Sequence, residues 1–109
     1  MKVNPTTLSW KAPTTNVDGT PITYALEYEV GLVNAEGIVD PLMVVPAQLQ
    51  TGTGYEAPIG GLGLDYGTYE VVLRTFAKED PERVSDWSNP VEFAISEQIP
   101  SAPLELRVA

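Results

Sequence analysis

Apolar residues in this chain recur at every second position and nowhere hold a helical period, and this restricts the fold more than any other feature. Leu8 and Trp10 alternate; so do Ile22, Tyr24, Leu26, Tyr28 and Val30, then Tyr69, Val71, Leu73 and Thr75, and finally Val91, Phe93 and Ile95. Successive side chains of a strand point to opposite faces, so a period of two describes strands with one buried face. The segments between them, "APTTNVDGTP", "GLVNAEGIVDP", "GGLGLDYG" and "KEDPERVSDWSNP", supply the Gly, Pro, Asn and Asp that turns require. Weaker strands fit "MVV" (Met43 to Val45) and "YEAPI" (Tyr55 to Ile59), which makes six strands before Gln98. Many short antiparallel strands joined by polar turns imply an all-β sandwich or small barrel.

Composition bounds what such a fold can contain. A chain of 109 residues fits one domain, and a domain of this size buries roughly two thirds of the surface its unfolded chain exposes. With no cysteine there is no disulfide and no thiolate metal site, so packing alone must hold the core. Fifteen acidic residues against six basic give a net charge of -9, which repels phosphate backbones and anionic lipid, so nucleic acid is not an expected partner. The opening "MKVNPTTLSW" lacks the apolar centre of a signal peptide. The longest apolar run, "PLMVVPA", is far too short to cross a bilayer. The expectation is a soluble chain without membrane insertion, exported, if at all, by a signal outside it.

Four segments carry a family resemblance: "LSWKAP" (Leu8 to Pro13), "PITYALEYEV" (Pro21 to Val30), "GTYEVVLRTFA" (Gly67 to Ala77) and "SDWSNPVEFAI" (Ser85 to Ile95). In order and spacing they resemble strands B, C, F and G of a fibronectin type III domain, over nearly all of residues 6 to 95. The resemblance implies an immunoglobulin-like antiparallel β-sandwich of about seven strands. It implies that Trp10 lies between the sheets with Tyr24 and Leu73, and that Tyr69 is a corner tyrosine bonded back to nearby main chain. Both Leu62 and Leu64 qualify as the core leucine before that corner. "YGTYEVVLRTFA" followed by "VSDWSNP" is similar to fibronectin type III repeats of tail-tip and host-specificity proteins of tailed bacteriophages. What this implies is a non-catalytic structural or adhesive module of a phage tail or similar virion assembly. The alternative is a spacer or accessory module of a secreted bacterial polysaccharide-degrading enzyme, hence a virion or extracellular location.

The residue inventory argues against chemistry. Without histidine or cysteine, Ser-His and Cys-His nucleophilic devices are impossible. The carboxylates of "EDPE" (Glu79, Asp80 and Glu82) fit a solvated turn with Pro81 at its bend, and a small filled sandwich seldom provides the cleft that acid catalysis needs. "NVDGT" has a carboxylate and a turn glycine but not the repeated Asp/Asn spacing of a calcium loop. The expectation is therefore no enzyme, no cofactor and no metal.

Binding surfaces remain. With Tyr24, Leu26 and Tyr28 inward, Glu27 and Glu29 face out, joined by Glu70, Val72, Arg74 and Phe76 and by Glu92. This is either a solvated sheet with cross-strand pairing or a contact face centred on Val72 and Phe76 with an acidic rim. The B-C loop (Ala12 to Pro21) and F-G loop (Lys78 to Trp87) share a pole in the resembled fold and offer Asn16, Asp18, Asp80 and Arg83 for recognition. Trp87 is expected to pack at the start of the last strand rather than to stack on a sugar. Expected partners are proteins, including further copies or neighbouring domains of one assembly, or a cell-surface receptor or glycan.

The segment "PSAPLELRV" divides the chain into a sandwich over residues 1–98 and a strand-like tail over 99–109. Met1 to Pro5 leave too little for a full first strand, whereas Leu104, Leu106 and Val108 alternate as one would. Three accounts follow: a boundary one strand out of phase in a tandem array, a tail donated to a neighbouring subunit, and a tail returning to its own domain. Return is constrained by length, since Glu97 to Pro103 would have to travel about 20 to 25 Å and seven residues span at most about 25 Å.

Overall fold

Most of the alternating segments become strands. The computed structural model describes residues 1–108, and in chain order its strands are β1 (Lys2–Val3), β2 (Thr7–Lys11), β3 (Leu26–Val33), β4 (Val39–Val45), β5 (Gln48–Thr51), β6 (Gly54–Pro58), β7 (Gly67–Ala77), β8 (Asp80–Val84) and β9 (Val91–Ile95), with one 3-10 turn at Ile59–Leu62. They form two sheets, one ordered β1-β9-β7-β3-β4 with β8 also paired to β7, the other β2-β6-β5. The fold is an all-β, immunoglobulin-like sandwich.

Nine strands stand where the resemblance implied about seven and alternation alone gave six, and each of the three beyond the alternation has a local cause. Lys78 and Glu79 make a two-residue turn, Ala77 pairs with Asp80, and the supposed F-G loop becomes the hairpin strand β8. Pro81 lies inside that strand rather than at a bend, as an edge strand allows because it lacks a donor to lose. Gln48–Thr51 forms β5 against β6. At the start of the chain, β1 runs parallel to β9, pairing Lys2 with Phe93 and Val3 with Ala94, so the sandwich is not wholly antiparallel. Asn4 then takes φ 51°, in the left-handed region that Asn tolerates. Its N–H donates to the Ala94 carbonyl and its side-chain oxygen accepts from the Ser96 N–H, both at 2.8 Å.

The third strand begins four residues later than the alternation suggests. Thr15 and Pro21 form an isolated bridge, so Ile22 and Tyr24 belong to the preceding loop and β3 opens at Leu26. From there Tyr28 and Val30 point into the core with Val45, Ala57, Ile59, Leu62, Val71 and Phe93. Trp10 packs on Tyr28, ring centroids 5.0 Å apart, and Leu73 borders the same cluster; Tyr28 thus takes the place expected for Tyr24. Burial pushes the Tyr28 hydroxyl above its ordinary pKa, partly offset by the nearby Trp10 indole. The indole Nε1 itself is buried without a hydrogen-bond partner.

At the β7 corner the Tyr69 hydroxyl donates to the Asp65 carbonyl at 2.7 Å. Leu62 is buried and Leu64 only partly so, which makes Leu62 the deeper leucine of the corner.

Candidate functional site

Strand β7 positions every candidate residue on the large sheet. On one side it pairs with β3 from Leu26↔Ala77 to Leu32↔Val71. Its other side is taken in turn by β9, by the non-strand segment Ser85–Pro90, and by β8. In that segment Ser88 N–H donates to the Leu73 carbonyl at 2.7 Å while Leu73 N–H donates to Ser88 Oγ at 3.0 Å. Ser85 repeats the arrangement on Thr75, at 2.8 and 2.9 Å. Each serine hydroxyl also donates to the carbonyl of the residue after it, Asp86 or Asn89. Two side chains therefore substitute for ladder carbonyls.

The three-residue spacing of the serines spans the two-residue spacing of Leu73 and Thr75, so the segment carries one residue more than a ladder would, as in a bulge. Trp87 is carried out over the outer face. The Arg74 guanidinium stacks on it, 4.2 Å from the ring centroid, and donates through Nε to Glu29 Oε1 at 2.7 Å. A Cβ at Gly31 would lie 3.0 Å from the Trp87 ring and closer still to Val39, so only glycine fits beneath it.

This arrangement settles how the expected contact face is built. Glu27, Glu29, Glu70, Arg74 and Phe76 share that face by register, and Glu29 is paired with Arg74 rather than presented alone. Val72 pairs with Gly31 and is only 6% exposed, so the apolar centre anticipated there is covered. Phe76 lies between Glu27 on β3 and Val84 on β8 and is half-buried. Glu70 and Glu92 sit directly opposite one another, a like-charge cross-strand pair. Trp87 is packed on the sheet, as its non-carbohydrate reading requires, though over the face rather than in the final strand.

The second region is the pole where the loop before β3 meets the β7-β8 hairpin. A groove of about 660 Å³ opens there, lined among others by Asn16, Asp18, Tyr24, Phe76 and Arg83. Three of the four expected loop residues meet at this groove; Asp80, at the start of β8, does not line it. Much of its polar lining is committed internally. Asp18 Oδ1 accepts from the Thr20 N–H at 3.0 Å and from the Thr20 hydroxyl at 2.6 Å, and these bonds hold its carboxyl below the ordinary range. Asn16 donates to the Thr20 and Pro21 carbonyls and accepts from the Tyr24 hydroxyl. Arg83 stacks over the Tyr24 ring at 4.3 Å. These bonds build a turn, and no group of three or more metal-ligating side chains occurs among the described residues.

The tail residues are neither buried nor strand. Leu104, Leu106 and Val108 are 89%, 95% and 101% exposed. Sequence reasoning missed Ser85, Ser88 and Gly31; the signal was the Ser-x-x-Ser spacing around Trp87, whose meaning depends on which residues of β7 lie opposite.

An all-β sandwich with one serine-bonded flank and an internally hydrogen-bonded loop pole is therefore defined by its geometry alone. Set against protein-family models, curated proteins and solved structures, the chain matches none.

Proposed function

We propose that this chain is a non-catalytic structural or adhesive module of the fibronectin type III kind, working within a bacteriophage tail or similar virion assembly. The observation that supports this reading is where its polar groups are spent. Asn16, Asp18, Arg74, Ser85 and Ser88 are tied into turn, edge and stacking contacts, a use that stiffens a spacer and leaves little for acid-base work. The residues carrying the resemblance, "GTYEVVLRTFA" and "SDWSNP", are the same ones that form the corner and the serine-bonded flank.

The test is proteomic. Antibody raised against the chain should label purified virions from the source organism, with its peptides in the tail fraction. Recovery of those peptides from the culture supernatant, on a polypeptide that also carries a polysaccharide-degrading domain, overturns the virion reading in favour of an accessory module of a secreted enzyme.

A further inference from the structure

Strand β2 has a neighbour on one side only. It pairs with β6 from Thr7↔Pro58 to Lys11↔Gly54, and among the described residues no strand pairs with its other side. Strand β1, which could have closed that edge, crosses instead to β9. Beside the open edge lies a cleft of about 110 Å³ lined by apolar side chains, Leu8, Trp10, Val71 and Leu73 among them, and by polar ones that include Ser88 and Asn89. An edge of this kind, with unpaired main-chain groups above a mostly apolar cleft, is a template for an added strand.

The chain also carries a strand-like segment without a sheet. Leu104, Leu106 and Val108 present an alternating apolar row that is almost wholly exposed. The molecule is 75 Å long but only 33 by 21 Å across. An eleven-residue strand is about 37 Å long, so the tail accounts for the remaining length by running away from the sandwich. Glu105 sits at φ 57°, a left-handed conformation unfavourable for a residue other than glycine and relieved when the segment extends.

We infer that the tail of one copy completes the sheet of a second copy by pairing antiparallel with β2. One register satisfies both faces. It places Leu104 opposite Ala12, Leu106 opposite Trp10 and Val108 opposite Leu8 over the cleft, and on the outer face it sets Glu105 against Lys11, a complementary charge pair, and Arg107 against Ser9. The tail leaves its own sandwich from the pole of Ile95 and Gly67. To reach its own β2 in this register, it would first have to run to the opposite pole and then reverse. A second copy requires no reversal. The contact is head-to-tail, so it propagates into chains or closes into rings. The inference stands on this edge and this tail, and goes beyond the virion reading without depending on it.

The experiment uses the full chain at rising concentration, with sedimentation velocity for mass and amide hydrogen exchange for β2. The expected result is mass that grows with concentration together with slowing exchange at Thr7–Lys11. Leu106→Asp, which lies outside the sandwich and should leave its circular dichroism unchanged, should raise the dissociation constant at least tenfold. Lys11→Glu should weaken association by about two- to fivefold, and adding Glu105→Lys should restore it. A monomer at all concentrations with fast-exchanging β2 overturns the proposal. So does a monomer whose β2 is protected until Leu106→Asp is introduced, which would show the tail returning to its own domain. Association unaffected by Leu106→Asp would place the interface elsewhere and equally overturn it.

Discussion

The two flanks of the sandwich solve one problem in opposite ways. Where β9 ends along β7, Ser85 and Ser88 supply side-chain acceptors, Trp87 covers the outer face, and no β7 amide at Leu73 or Thr75 is left unbonded. Among the described residues no segment performs that service along β2, and Trp10 Nε1 remains buried without a hydrogen-bond partner. Edges left unpaired are hazards unless something covers them. The contrast teaches that this fold spends its irregular segment on one edge and leaves the other for a strand from elsewhere.

Substitutions should separate the flanks. The largest effect is expected at the open one: Trp10→Ala should cost about 3 kcal/mol or more, read as a lowered urea midpoint, because β2 packs through this residue onto Tyr28 and, among the described residues, pairs with β6 alone. Thr15→Ala, exposed in the loop, should leave that midpoint unmoved. On the closed flank, Gly31→Val should cost about 1 to 3 kcal/mol by forcing Trp87 and Val39 apart. Loss of the Arg74 stack should accompany it, visible as a shifted tryptophan emission.

Ser88→Ala is the finer probe. It removes the acceptor of the Leu73 N–H and should cost about 1 to 2 kcal/mol, with Ser88→Thr recovering most of the loss. A null result would mean that water replaces the hydroxyl and that the flank is closed only in outline.

A smaller effect is set by pH and concerns the core between the flanks. Tyr28 is held neutral by burial, so its folded pKa lies above the unfolded value of 10.0. The stability this contributes is fully present below about pH 10 and is lost as pH rises through the folded pKa. Urea midpoints measured from pH 9 upward should fall more steeply for the natural chain than for Tyr28→Phe.

These contrasts also show what the sequence could disclose. Alternation located β2, β7 and β9 and their inward faces because it depends on local spacing, whereas the corner at Tyr69 was expected only through the fibronectin type III resemblance. Alternation misled at Ile22 and Tyr24, where loop residues under the Arg83 stack keep the same period without strand pairing. It was silent about β1, whose two residues are too few to show a period, and about β8, whose Pro81 argues for a turn until the edge position is known. The covered state of Val72 and the work of Ser85 and Ser88 depend on cross-strand register, which no single segment encodes.

Amide exchange on the dilute, monomeric chain tests the difference between the flanks most directly. The amides of Leu73 and Thr75, which face no strand, should exchange as slowly as their β3-bonded neighbours Val72 and Arg74, while the β2 amides facing away from β6 exchange far faster. Fast exchange at Leu73 and Thr75, or uniform protection along β2 at that dilution, would contradict the account.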